Sequence, residues 1–250
     1  MSFIYCDSDT HKIVVKLPNR LSKTIIDLLT NRYTLAARQQ VETVVVDLNA
    51  QYIHFIKDLF PNVEIIIDRF HIIQLTERAL DKYRTTLFNK LDKKSREYKI
   101  LKSHWKLFHK YEEDIIDDKT MFLKGINEYM TQRNALDLVF DFSLKFKQIY
   151  EVYQAILKAT REKDISLLHD AIYSYHKTQS TMDTAITTLK HNIHYVENAC
   201  SFSYSNGPME GLNRKIKDLK RHCFGFRNLN NFFNRIDCIF LLNQKEASTA

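Results

Sequence analysis

The apolar residues of this chain fall first in short runs and then at helical intervals. Residues 2–6 and 12–17 are two such runs, Ser-Phe-Ile-Tyr-Cys and Lys-Ile-Val-Val-Lys-Leu. They flank the polar turn Asp7-Ser8-Asp9-Thr10-His11, the pattern of a β-hairpin. Leu21, Ile25, Leu28 and Leu29 recur every three or four positions and predict a helix over residues 21–33. Thr43-Val44-Val45-Val46-Asp47 is β-branched and apolar without alternation, as in a strand covered on both faces. Residues 50–60 carry Tyr52, Ile53, Ile56, Leu59 and Phe60 as a helical stripe that Pro61-Asn62 ends. Residues 63–67 predict another strand, closing at Asp68. Residues 43–68 therefore predict strand–helix–strand with a parallel pair. From His71 to about Ala199 no strand signal survives. Ile72, Leu75, Leu80, Tyr83 and Leu87 predict one long helix, and residues 136–159 and 165–175 predict more. Two further helices are expected, one opening near Glu210 and one around residues 229–242.

Composition agrees with a folded, helix-rich chain. Hydrophobic residues make up 44% of the 250, and only 4 Gly and 3 Pro argue against a loop-rich all-β protein. The cysteines, Cys6, Cys200, Cys223 and Cys238, include no CxxC pair, so reduced cytosolic thiols are expected rather than a zinc knuckle. No apolar run approaches the roughly 18 residues of a membrane span. A soluble, cytoplasmic protein without a membrane partner is expected.

Charge changes the picture more. The net charge is +7, and it is concentrated near the C-terminal end. Between Asn206 and Arg235, seven basic residues (Arg214, Lys215, Lys217, Lys220, Arg221, Arg227, Arg235) face two acidic ones, Glu210 and Asp218, a net of +5. Such concentration fits a polyanion, nucleic acid first and membrane surface second; a solvated basic helix face stays open.

Three carboxylates stand out. Asp47 and Asp68 close strands, where open α/β sheets place their ligands. Each also precedes a helix and is suited to N-capping. With Gly207 as cap, Glu210 falls at the third helical position and can bond back to the cap. At 100° per residue, Met209, Leu212, Ile216 and Leu219 form an apolar stripe, and Glu210, Arg214, Lys217 and Arg221 lie nearly opposite. That face is either an i,i+4 ion-pair row or a metal ligand beside phosphate-binding side chains. Strand-end carboxylates plus one on a following helix are what two-metal phosphoryl transfer requires.

Three separated motifs carry a resemblance. They are Val44-Val45-Val46-Asp47-Leu48-Asn49-Ala50-Gln51-Tyr52, then Phe60-Pro61-Asn62 with Ile67-Asp68-Arg69-Phe70-His71, and Ser205-Asn206-Gly207-Pro208-Met209-Glu210-Gly211-Leu212-Asn213. Ile216-Lys217, Lys220-Arg221 and Phe224-Gly225-Phe226-Arg227-Asn228 follow the last. In order and spacing this resembles the catalytic domain of bacterial insertion-sequence transposases of the L-three group, over essentially the whole chain. The resemblance implies an RNase H-like core and an Asp-Asp-Glu triad holding Mg²⁺ or Mn²⁺. Asp47 matches the second Asp and Glu210 the Glu. Asp68 and His71 match an Asp-Arg-Phe-His signature with a supporting or structural role. Arg214, Lys217, Lys220, Arg221 and Arg227 would contact double-stranded DNA at the transposon ends.

The resemblance implies a departure too. The family's first Asp lies on a strand just upstream of the hairpin, and this chain begins inside that hairpin. Asp7 and Asp9, in the hairpin turn, do not match it, and the family's zinc-binding and helix-turn-helix regions are not matched either. The expected fold class is α/β: an RNase H-like core whose mixed sheet lacks its first strand, with a large all-helical insertion. The expected divisions are core at 1–71, insertion at 72–200, and a return to the core at 201–245. A fragment inactive by itself is expected, as a homodimer or assembled with full-length transposase. The alternative is a non-catalytic DNA-binding regulator or relic that competes with it; another RNase H-like nuclease is a third reading.

Overall fold

A β-hairpin opens the fold because two short apolar runs flank a turn that Asp7 organises. The Asp7 carboxylate accepts from the Thr10 N–H at 2.7 Å and from its hydroxyl at 2.6 Å, and these bonds hold its pKa below the usual carboxylate range. The computed structural model describes residues 3–48 and 50–247. Ser2, expected in the first strand, and Asn49, in the first motif, lie outside the described residues. β1 (Phe3–Cys6) pairs antiparallel with β2 (Ile13–Leu17), from Phe3 opposite Leu17 to Cys6 opposite Ile13.

Helix α1 (Ser22–Arg32) buries Ile25 and Leu29. A further helix, α2 (Leu35–Gln39), was not expected; Thr34 caps it, its hydroxyl accepting from the Ala37 N–H. β3 (Thr43–Val46), α3 (Ala50–Leu59) and β4 (Glu64–Ile67) follow as the β-branched runs and helical stripe predict. β3 and β4 are neighbours in a two-stranded sheet. α3 buries Ile53, Phe55, Ile56 and Leu59 and packs on α1.

The chain divides into two compact units, one of Met1–Ile65 with Tyr204–Ala250, the other Ile66–Ser203. The second unit is built on α4 (Arg69–Phe88), whose buried stripe is Ile72, Thr76, Ala79, Leu80 and Arg84. α5 (Arg96–Ser103), α6 (Gln132–Phe142), α7 (Leu144–Glu162), α8 (Ile165–Tyr173), α9 (Thr181–His191) and α10 (Ile193–Ser201) complete its helices. The predicted helical stretch over 136–159 is two helices, because Ser143 ends one and caps the next. Phe146 is fully buried beside Phe108, ring centroids 5.1 Å apart and edge-on. Buried Arg84 donates to Asp81 at 2.7 Å and to the Leu101 carbonyl, so its charge is partnered. Arg69, at the start of α4, donates to the carbonyls of Ala199 (2.9 Å) and Phe202 (3.3 Å) at the end of α10.

The expected all-helical insertion is corrected here. β5 (Met121–Leu123) and β6 (Glu128–Met130) form an antiparallel hairpin. Each strand has three residues, too few to show an alternation. The turn between them uses Gly125 (φ +94°) and Asn127 (φ +59°), both types that tolerate the left-handed region.

The second unit also carries an acid-sensitive turn. Burial pushes the Asp183 carboxyl up, but hydrogen bonds from Tyr175 (2.6 Å) and the Thr178 N–H (2.9 Å) outweigh it and leave the pKa lowered. A lowered carboxyl stabilises above its unfolded pKa and loses that stabilisation as pH falls through the folded value. Asp183→Asn should therefore reduce stability at neutral pH and flatten its decline below about pH 4. Urea unfolding at stepped pH checks this, and parallel curves for parent and variant would refute it.

α11 (Gly207–His222) and α12 (Leu229–Ala247) return to the first unit. Leu212 and Ile216 of α11 and Phe232 and Ile236 of α12 form one buried cluster, against which Ile4, Cys6 and Ile13 of the hairpin pack. Lys16 of β2 reaches the Asp237 carboxylate and donates to the Phe233 carbonyl on α12 at 3.2 Å. No helix among the described residues is long and apolar enough to cross a membrane. All four cysteines are free; burial raises the thiol pKa of Cys6 and of Cys200.

Candidate metal and nucleic-acid site

The apolar stripe of α11 decides which face is left for solvent. Leu212 and Ile216 go into the cluster with α12, and Met209 and Leu219 pack at its margin. The opposite face, with Glu210, Arg214, Lys217 and Arg221, is exposed, as are Lys220 and Arg227. Among the described residues the ion contact these cations make is loose: Arg221 lies 3.8 Å from Asp218 with its side chain 80% exposed. Among the described residues Glu210 makes no ion pair with Arg214 or Lys217, so the i,i+4 row is not what forms.

The capping expectation for Glu210 is also corrected. The residue flanking the helix is Asn206, and the helix begins at Gly207. Glu210 is thus the fourth helical residue, one position beyond the reciprocal capping box. Pro208 is tolerated at the second position because its missing N–H has no helical acceptor there.

Asn206 does something else with its side chain. An N-cap side chain ordinarily accepts from the N–H groups of the first turn; here it makes no such bond. Instead its amide Nδ2 donates to Asp47 Oδ1 at 2.9 Å. Its carbonyl meanwhile accepts the Glu210 N–H, also at 2.9 Å. One residue therefore joins the carboxylate after β3 to the first turn of the acidic-then-basic helix, across 159 positions of sequence. Asp47 stands three positions before Ala50, so it does not flank α3, and its side chain is exposed like that of Glu210.

Asp68 and His71 belong to the second unit. Asp68 is 5% exposed and caps α4, its carboxylate accepting from the Phe70 N–H at 2.9 Å. His71 lies in the first turn of α4, half-buried, with its ring edge-on to Phe70 at 5.3 Å. Asn206 was missed as a positioning residue because its Asn-Gly-Pro setting signals only a turn and helix start.

The donor chemistry of Asp47 and Glu210 suits a hard cation. Both are carboxylates open to solvent, and Mg²⁺ takes one or two such ligands and keeps several waters. Among the described residues no group of three or more His, Cys, Asp or Glu side chains gathers in metal-holding geometry.

Comparison with known families gives the class: a model described as "Transposase" matches residues 1–236. The chain belongs to the L-three family of insertion-sequence transposases. It is similar to the transposase for insertion sequence element IS1001 of Bordetella parapertussis, 23% identical over 209 residues, 82% of this chain and 48% of that protein. It is also 32% identical over 119 residues to a Lactococcus lactis protein named ATP-dependent protease, covering 48% of this chain and 38% of that one. The chain thus spans less than half the length of each of these curated relatives. Its four glycines, Gly125, Gly207, Gly211 and Gly225, include no pair five apart followed by Lys, the spacing of a nucleotide-binding P-loop. No solved structure matches the chain.

Proposed function

We propose that this chain is the catalytic portion of a transposase, holding transposon-end double-stranded DNA along the basic face of α11 and directing Asp47 and Glu210 at the phosphate backbone. The observation that carries the reading is the Asn206 link, which ties the two carboxylates to one end of the helix that bears the cations. Asp47 and Glu210 are the residues that would hold Mg²⁺ or Mn²⁺. Asn206 fixes the orientation of Asp47. Arg214, Lys217, Lys220, Arg221 and Arg227 bind phosphates. The metal, when bound, would activate the attacking oxygen and stabilise the leaving one. Asp68 and His71 shape the start of α4 and take no metal.

The resemblance implies a third carboxylate on a further strand of an RNase H-like sheet. The β1–β2 and β3–β4 sheets each have two strands among the described residues, and a two-stranded sheet can accept a further strand at an edge. A strand entering there would complete the triad. On this reading Asp47 and Glu210 are two of the three carboxylates of the metal site. A second reading, a non-catalytic regulator that competes with a longer transposase for the same ends, draws on the same two-carboxylate set.

Asp47→Asn with Glu210→Gln should weaken Mn²⁺ binding at least tenfold by electron paramagnetic resonance. DNA affinity without metal should hold or rise, since negative charge beside the phosphates is lost. Unchanged Mn²⁺ affinity would remove these residues from the metal site. Mg²⁺-dependent cleavage of transposon-end DNA by the 250-residue chain would show that no further carboxylate is needed.

A further inference from the structure

The C-terminal end of α11 closes on an unusual residue. The Gly225 N–H donates to the Lys220 carbonyl at 2.9 Å, and the Phe224 N–H donates to the Arg221 carbonyl at 3.1 Å. These are the two bonds of a Schellman closure, and they put Phe224 at the position where glycine is usual. Its φ is +53°, in the left-handed region, where a bulky residue is an outlier. The glycine of this turn comes one residue later, at Gly225 (φ +91°).

Among the described residues Phe224 has no packing partner to offset that strain. The residue is 102% exposed, the most exposed of the large hydrophobic residues among those described. Phe226, two positions on, behaves in the opposite way: its ring lies 4.8 Å from that of Phe232 and packs against the buried cluster. The loop is thus anchored by one aromatic ring and displays another. A strained backbone that holds an apolar ring in water points to a contact outside the chain.

The surrounding charge selects the partner. Lys220, Arg221 and Arg227, within four positions of Phe224 in sequence, are exposed, and Asp218 is the only acidic residue between Gly211 and Ile236. Cations of this density attract a polyanion, and the part of a nucleic acid that takes a flat apolar ring is the base. We propose that Phe224 is a base-stacking residue: its ring packs on a nucleobase of the nucleic acid bound along α11, while Lys220, Arg221 and Arg227 hold the flanking phosphates. This rests on the reading of α11 as the DNA-binding face. The contact is sequence-tolerant, since every base offers a π-face. It fixes where along α11 the strand stops sliding, which phosphate contacts alone do not.

Phe224→Gly tests the ring without endangering the fold, because glycine suits the left-handed turn better than Phe does. The probes are a mixed-sequence DNA duplex and the same duplex with an unpaired extension. Affinity of Phe224→Gly should fall roughly 5- to 150-fold, with the slope against salt unchanged and thermal stability equal or higher. The chain has a single Trp, Trp105. In a Trp105→Phe background, Phe224→Trp places the only indole at the site, and its emission should be quenched when DNA binds. Stronger quenching by the extended duplex assigns the ring to an unpaired base; equal quenching assigns it to a base step within the duplex. Affinity of Phe224→Gly within twofold of the parent, or indole emission unmoved while anisotropy reports binding, overturns the proposal alone. Loss of self-association with DNA affinity unchanged makes the ring a protein contact and overturns it too. Failure of the parent chain to bind either DNA at any salt overturns both this proposal and the DNA-binding face.

Discussion

DNA binding by the 250-residue chain should weaken on the order of 500-fold when salt rises from about 50 to about 200 mM. Arg214, Lys217, Lys220, Arg221 and Arg227 are all exposed. If each neutralises one phosphate, the logarithm of affinity falls with the logarithm of salt with a slope of about −4.5. A fourfold rise in salt then gives the stated loss. The same slope is expected for unrelated duplex sequences, because phosphate contacts carry no sequence information. Fluorescence anisotropy across a salt series measures it directly. Replacing any one of the five by Ala should reduce the slope by about one. A slope shallower than about −2 would mean that most of these cations face solvent rather than DNA.

Ile236→Ala should destabilise the first unit by about 2–5 kcal/mol, the range for truncating a large buried aliphatic residue. Ile236 is 0% exposed and sits between α11 and α12 with Leu212, Ile216 and Phe232. That cluster seats α11, and the seat turns the cationic face outward. Typical domains hold only 5–15 kcal/mol in total. The variant should therefore lose DNA affinity along with stability, although no substituted atom lies on the charged face. Urea denaturation monitored beside DNA binding checks both effects. A cost below about 1 kcal/mol would mean that the site collapses around the cavity and that the cluster does not carry α11.

The elements that were legible in the sequence are those with a local period. The Val44-Val45-Val46 run, the stripe of α3 and the long repeat of α4 each encode their structure within a few turns or one strand. The hairpin of β1 and β2 was legible from its turn. The strands β5 and β6 were not, because three residues show no alternation. α2 is one turn and a half, and only Thr34 announces it. The candidate site divides the same way. Glu210 and the cations could be placed on a common face from spacing alone, but the true helix start shifted Glu210 by one position. The Asn206–Asp47 bond could not be read, since no local pattern records a partner 159 residues away. Phe224 sat in plain view within a motif; its significance came from a backbone angle and an exposure that sequence does not carry.

The two bonds of Arg69 have a consequence for how this protein can vary. A single guanidinium at the entry of the helical unit grips the backbone at its exit, at Ala199 and Phe202. The 130-odd residues between behave as a closed loop whose mouth is fixed from one side. Closing a longer loop costs only a little more entropy, about 0.6 kcal/mol for each doubling. Helices can therefore be added to or deleted from the excursion with little effect on where its two ends meet. The grip uses backbone carbonyls, so at the exit it sets no side-chain requirement of its own; Ala199 is held small by its burial instead. The arginine is the side chain on which this closure depends.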